Sequence, residues 1–314
     1  MALSRQLKSK IRTVGNIKQI TKAMQMVSAT KMRKSQEVAL RARPFAKEAL
    51  SLMRDIVKNQ DVSEQESIYF TQKKESVSAD ETGKTCLIVV TSDKGLCGSF
   101  NGQVTRMAFK WLSGKNNVDV VAVGRKGKDF FGARAIMPVA EFLQFSDIVA
   151  LHDVAPLSEW VLKAFKEGRY KRIVIASTQF FSALVQKPNI RQLLPLDMEE
   201  LKDVVKNIVP KTGKYADWNS EESDTEKLPH LLEPSPWAIL EALVENLLKV
   251  QMLHYIFESN ASEHSSRMVA MKNATENATS LQDELQLSLN KARQAAITQE
   301  LTEISTAKEA LSQD

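Results

Sequence analysis

The sequence predicts an α/β protein with one long helix at each end and a compact βαβ domain between them. Two observations predict the helices. Residues 1–36 hold nine Lys or Arg and no acidic side chain on an amphipathic pattern, and residues 214–314 hold no glycine. From residue 237 onward there is no proline either, so 78 residues contain neither of the strong helix punctuators. At about 1.5 Å per residue such a helix reaches roughly 115 Å, several times the width of an ordinary domain. A third observation predicts the domain: short continuous apolar runs alternate with helix-length segments, the pattern of a mostly parallel, buried sheet. The shape expected is a shaft with a knob.

The first helix is read over residues 1–60. Its apolar residues Leu3, Leu7, Ile11, Val14, Ile17, Ile20, Met24 and Val27 recur in steps of three and four, a mean of about 3.4 that approaches the heptad of a left-handed supercoil. Pro44 sits in the interior of this pattern, so a kink or break near Arg43 and Pro44 is expected. Residues 61–84 read as a linker that ends in the polar stretch 76–84.

The α/β domain is placed at residues 85–210. Strands are expected at 86–91, 118–123 and 172–177, and helices at 103–112, 126–131 and 152–168. A second polar stretch, residues 211–227, lies in a loop placed at 211–236. The last helix, 237–314, answers the first with Leu281, Leu285, Leu289, Ala292 and Ala296. Between them, residues 259–280 offer mostly Ala, Ser, Asn and Thr, which predicts close backbone approach or contact with another chain.

Charge is unevenly placed. Residues 1–60 carry 14 basic and 3 acidic side chains, residues 237–314 carry 6 and 11, and the overall charge is +5. Opposite charge favours the two helices lying side by side, although each exposed pair contributes only about 0–1 kcal/mol. The surplus positive charge must then face water, nucleic acid, lipid head groups or an acidic protein. No apolar run approaches the roughly 20 residues of a membrane span, and no secretory signal is visible at the start. Cys86 and Cys97 are the only cysteines, which fits a reducing compartment.

Three stretches bear on chemistry. The loop SDKGLCGSFNG at 92–102 follows the first strand and precedes a helix, where a phosphate loop would sit. Its glycines at 95, 98 and 102 match neither phosphate-binding fingerprint, so it reads as a tight structural turn built on Asp93, Gly95, Cys97 and Gly98. GRKGKD at 124–129 reads as a solvated strand-to-helix turn. The histidines at 152, 230, 254 and 264 have no metal-ligand spacing, and no nucleophile–base set can be argued. No catalytic, cofactor-binding or metal-binding residue is assigned.

Five blocks, lying in order along essentially the whole chain, resemble the γ subunits of F-type ATP synthases. They are IKQITKAMQMVS at 17–28, SDKGLCG at 92–98, EPSP at 233–236, SEHSSRMVAMKNA at 262–274 and KARQAAITQELTEI at 291–304. The resemblance implies an antiparallel coiled coil from the two chain ends and a Rossmann-like foot. It implies a non-catalytic rotor shaft inside a ring of α and β subunits, standing on a membrane ring of c subunits beside ε, with δ in the same complex. Such a shaft couples proton flow to ATP synthesis or hydrolysis on β and so regulates both. It binds no nucleotide directly and takes no cofactor. Carried over by position, Lys22 and Met24 face the lower β loops, with Glu263 and Arg267 on the facing helix at that level. Arg293 and Gln294 match a pair that touches a loop of the open β subunit, and Gln299 and Thr302 match polar positions near the upper bearing.

The chain departs from the family pattern in its tail, STAKEALSQD at 305–314, where relatives often carry Gly and Ala, and in its polar 211–227 segment. The redox insert of chloroplast relatives is missing, so no regulatory disulfide is expected. The family's helix begins almost at Met1, with no transit peptide before it, which implies a bacterial enzyme on the cytoplasmic face of the inner membrane. Two other classes stay open on the residues alone: a basic coiled-coil nucleic-acid-binding protein, and a nucleotide-using enzyme built on the central domain.

Overall fold

The computed structural model describes residues 2–59, 69, 83–146, 149–196 and 236–311. In chain order the elements are α1 (Ala2–Asn59), β1 (Thr85–Val90), α2 (Phe100–Leu112), β2 (Val118–Val123), α3 (Arg125–Gly132), β3 (Ala140–Phe142), α4 (Leu151–Lys166), β4 (Arg172–Phe180), β5 (Gln186–Leu194) and α5 (Pro236–Leu311). They form two compact units, residues 1–28 with 267–314, and residues 29–266. The polar stretch at 211–227, most of that at 76–84 and His230 lie outside the described residues.

The larger unit is built on a five-stranded sheet in the order β3-β2-β1-β4-β5. β3, β2, β1 and β4 are parallel, which is half of a doubly wound nucleotide-binding sheet. The fifth strand is antiparallel, joined to β4 by a hairpin. Each central strand is apolar throughout because both its faces are covered. Ile88 pairs with Val121 on one side and Ile175 on the other, all fully buried. Cys86, Ile88 and Val90 face one core, with Val154, Leu157 and Val161 of α4, Leu248, Met252 and Tyr255 of α5, and Val38 and Leu52 of α1. Leu87 and Val89 face the other, with Val104 and Ala108 of α2 and Phe131 of α3.

The structure departs from the sequence reading at three points. The helix α1 runs unbroken through Pro44, so no break occurs there. A proline deletes one hydrogen bond of the helical ladder, and 57 other residues of the same helix hold it together. The strands β3 and β5 were not expected. β3 has only three residues, and β5 reads as non-strand because Pro188 interrupts it. Pairing on one side alone makes β5 an edge, where a proline is tolerated.

Candidate functional site

The smaller unit is a pair of helical segments, and its contacts run antiparallel. Thr275 donates its hydroxyl to Thr21 at 2.8 Å, and Gln282 lies 3.6 Å from where a side chain on Gly15 would begin. Among the less exposed positions of the first segment, Leu7, Ile11, Val14, Lys18, Thr21, Gln25 and Ser28 form one row, with Gly15 and Met24 beside it. In the second, Met271, Thr275, Ala278, Gln282, Leu285, Leu289 and Ala292 form the matching row, with Ala274 and Thr279 beside it. Both sets alternate steps of three and four, which is the heptad of a left-handed coil.

This seam corrects the one read from apolar residues. Past Val14 it leaves Ile17, Ile20 and Val27 outside, 48–60% exposed, and takes Lys18, Thr21 and Ser28 instead. Opposite, Leu281 is outside and Gln282 inside, and Ala296 is exposed. Small side chains let two helices approach closely, and their hydroxyls are satisfied within their own helix. Thr21 donates to the carbonyl of Lys18 and Ser28 to that of Met24, while Thr275 shares its one proton between the Met271 carbonyl and Thr21. At Thr275 the small, polar stretch meets its neighbour directly, through Thr21.

The positions carried over from the family fall on both units. In the register of Thr21 with Thr275, Met24 is half-buried and stands level with Lys272, while Lys22 is exposed. Arg267 is buried, about five residues beyond that level. Glu263 is half-buried and belongs to the larger unit. Arg293 and Gln294 are exposed. Gln299 donates to Glu303 at 2.9 Å and Thr302 to the carbonyl of Thr298 at 2.8 Å, so both engage their own helix while staying exposed. Beside them Ile297, Leu301 and Ile304 form a stripe of exposed aliphatic side chains.

The turn after β1 sits where the sheet order reverses, the usual place for a phosphate in such folds. Here the oxygens that follow β1 are committed to α3 as acceptors. The first three amides of α3 go to residues that follow β1: Arg125 to the Asp93 carboxylate at 2.9 Å, Lys126 to the Ser92 carbonyl at 3.1 Å and Gly127 to the Thr91 hydroxyl at 2.8 Å. Asn101 closes the loop, accepting from the Ser92 amide and donating to the Ser92 hydroxyl and the Cys97 sulfur. Gly98 has a positive φ of 57°, whereas nothing lies within 4 Å of a side chain on Gly95. The 124–129 turn is solvated on its charged side, where Arg125 and Asp129 are exposed, but Gly124 and Gly127 are buried against Thr91. Cys86 and Cys97 are buried free thiols, and burial pushes Cys86 up to about 12.

One polar group of the larger unit escaped the sequence reading. On α5, His254 and Glu258 are buried against Arg191 of β5. Burial pushes His254 down to about 3, helped by the Arg191 charge. Burial pushes Glu258 up to about 8, with Arg191 drawing it back. The four-residue spacing of His254 and Glu258, the one inside and the other at the end of the apolar run 252–257, was the available signal.

With this geometry in hand, comparison with known proteins is informative. The family model described as ATP synthase matches residues 4–311. The ATP synthase gamma chain of Chloroflexus aurantiacus is 36% identical over 318 residues, covering 99% of each chain. That of Roseiflexus castenholzii is 36% identical over 317 residues, covering both chains fully. Among solved structures, a chain of the Euglena gracilis mitochondrial ATP synthase assembly with F1 and c-ring aligns with a TM-score of 0.64 at 21% identity, over 99% of this chain and 95% of that one. A chain of the Tetrahymena thermophila mitochondrial central stalk and c-ring aligns with a TM-score of 0.55 at 24% identity, over 81% of this chain and 99% of that one. The two structures share the fold, and the match of family model and relatives along the whole chain goes further: the chain belongs to the ATP synthase γ chain family.

Proposed function

We propose that this chain is the central rotor shaft of a bacterial ATP synthase, turning inside a ring of α and β subunits and joined at its foot to ε and the membrane c-ring, with δ elsewhere in the complex. It is a non-catalytic subunit. Family membership supports the role, and one observation of this molecule carries it: the coil leaves Ile17, Ile20, Val27, Ile297, Leu301 and Ile304 exposed. Aliphatic stripes on a slender helix pair call for a surrounding protein surface. Lys22, Met24, Glu263, Arg267, Arg293, Gln294, Gln299 and Thr302 are the positions at which that ring is felt. Each orientation of the shaft favours a different combination of β conformations through differential contact energy, and this ties ATP turnover to proton flow. Asp93, Cys97 and Gly98 hold the turn of the foot.

No helix among the described residues is long and apolar enough to cross a membrane. The chain therefore reaches the cytoplasmic face of the inner membrane through its partners. The basic residues of the first helix meet acidic loops of β. The nucleic-acid reading gains no support from the comparisons, and the nucleotide-enzyme reading meets a turn after β1 whose Thr91 and Asp93 oxygens are tied to α3.

Two engineered disulfides test the role in the assembled complex. Thr21→Cys with Thr275→Cys joins the two helices where their side chains already touch. Gln299→Cys paired with a cysteine on the facing ring crosses the sliding surface instead. The first is expected to leave ATP turnover largely intact, the second to stop it until reduced. Equal inhibition by both would mean that the helices slide past each other during turnover, and the rigid shaft would be wrong. The native thiols are buried and should not interfere.

A further inference from the structure

The contact of α5 with β4 and β5 changes character along the helix. Val244, Leu247, Leu248 and Met252 pack as an ordinary apolar face. Overlapping and following them, Gln251, His254, Glu258 and Ser262 recur at three- and four-residue steps and put polar groups on one buried face. Some polar contacts nearby are made well. The Thr178 amide donates to Ser259 at 3.1 Å, and Ser265 donates to the Ala183 carbonyl at 2.6 Å. Loose packing of the whole helix therefore does not explain its neighbours.

Those neighbours are polar atoms with no hydrogen-bond partner in the protein: both ring nitrogens of His254, Oε2 of Glu258, Oε1 of Gln251, the Ser262 hydroxyl and the Thr178 hydroxyl. Three charged or titratable groups lie at the centre. The Arg191 guanidinium stands 3.9 Å from Glu258 Oε2, and His254 Nε2 stands 3.7 Å from the same oxygen. Both separations exceed a direct hydrogen bond, and both lie in the range that a single water spans.

We propose that Arg191, His254 and Glu258 form a buried binding site for ordered water, through which α5 docks to β5. The chemistry selects water over an ion. The fixed charge of Arg191 repels a cation, and an anion has no proton to give the acceptor atoms of Glu258 and of the neutral His254 imidazole. A guanidinium offers only donors, a neutral imidazole one donor and one acceptor, and a protonated carboxyl group one donor beside its acceptor lone pairs. Water supplies both kinds of partner and typically makes about three such bonds when buried. Its presence lets a charged β5 residue and an ionisable helix face share an interior that neither could enter dry.

The test is a structure of the assembled complex, or of the full chain, at about 1.8 Å or better. At least one ordered water is expected within about 3.2 Å of two of the three groups. A direct Arg191–Glu258 pair at about 3.0 Å with no density between them would overturn the proposal. Oxygen-17 relaxation dispersion of the full chain counts long-lived internal waters in solution and provides a second measurement. The triple variant Arg191→Met, His254→Leu, Glu258→Leu removes every group of the centre, and it should lose at least one such water while keeping its melting temperature within a few degrees. An unchanged water count in the folded triple variant would also overturn the proposal. Should the triple variant not fold, the density in the wild-type protein decides alone.

Discussion

Gly124 shows how much a single residue can be required by its surroundings. Its φ is +87°, and a Cβ there would lie 2.2 Å from the Thr91 carbonyl oxygen, which belongs to the backbone and has nowhere to go. Gly124→Ala should therefore cost about 2–4 kcal/mol from backbone strain and the clash together. In a unit of this size that lowers the melting temperature by roughly 5–15 °C, measured by thermal unfolding of the full chain. Gly95→Ala, with open space around it, should change little by the same measurement. At the same scale His254 and Glu258 set a pH optimum for stability. His254 takes up a proton near 6.5 when unfolded but only near 3 when folded, so stability is lost as pH falls below about 6.5. Glu258 gives up its proton near 4.5 unfolded but near 8 folded, so its contribution is lost as pH rises from about 4.5 to 8. The two oppose each other between about 4.5 and 6.5, and the melting temperature should peak there. Glu258→Gln should flatten the alkaline limb and His254→Gln the acid limb, and a profile unchanged by either would remove them as its source.

At the scale of elements, the coil is organised by size more than by hydrophobicity. Thr21 and Thr275 touch through their hydroxyls, while Ile20, one residue away, faces outward. Thr21→Leu would look favourable on a hydrophobic scale, yet it should overpack a close helix contact and destabilise by about 1–3 kcal/mol. Thr21→Ser, which keeps the hydroxyl, should cost less than half as much. Helical circular dichroism on heating orders the two variants, and a stabilising leucine would show that the helices are farther apart than described. The same reasoning separates what was legible from what was not. The runs at 86–91, 118–123 and 172–177 announced β1, β2 and the start of β4, since buried parallel strands need apolar residues on both faces. β5 was illegible because Pro188 and its alternating polar residues are excused only by an edge position, which depends on β4.

At the scale of the whole molecule, the two units differ in what encloses them. The sheet of the larger unit is covered on both faces by its own helices. The smaller unit presents Ile17, Ile20, Ile297, Leu301 and Ile304 to its surroundings, and residues 293–306 are exposed throughout. Hydrogen exchange of the isolated chain should therefore be fast in residues 1–28 and 267–311 and slow in β1, β2 and β4. Assembly with partner subunits should slow the first set and leave the second alone. Uniform protection of the terminal segments in the isolated monomer would show that the coil needs no ring.

The sequence by itself determined the C-terminal helix, because no glycine or proline interrupts residues 237–311, the N-terminal helix through its amphipathic pattern, and the central sheet, because its apolar runs suit only strands covered on both faces. It carried the family in five ordered blocks. Tertiary structure decided which residues of the helices meet. The periodicity of apolar residues pointed to Ile17, Ile20 and Val27, and the coil chose Thr21 and Ser28. It also decided that Arg191 would meet His254 and Glu258, more than 60 residues apart in the chain. Helix and strand formation depend on neighbours a few residues away, so a pattern records them. A close helix contact, an edge strand or a buried charge depends on which distant surface arrives, and only the folded chain brings those surfaces together.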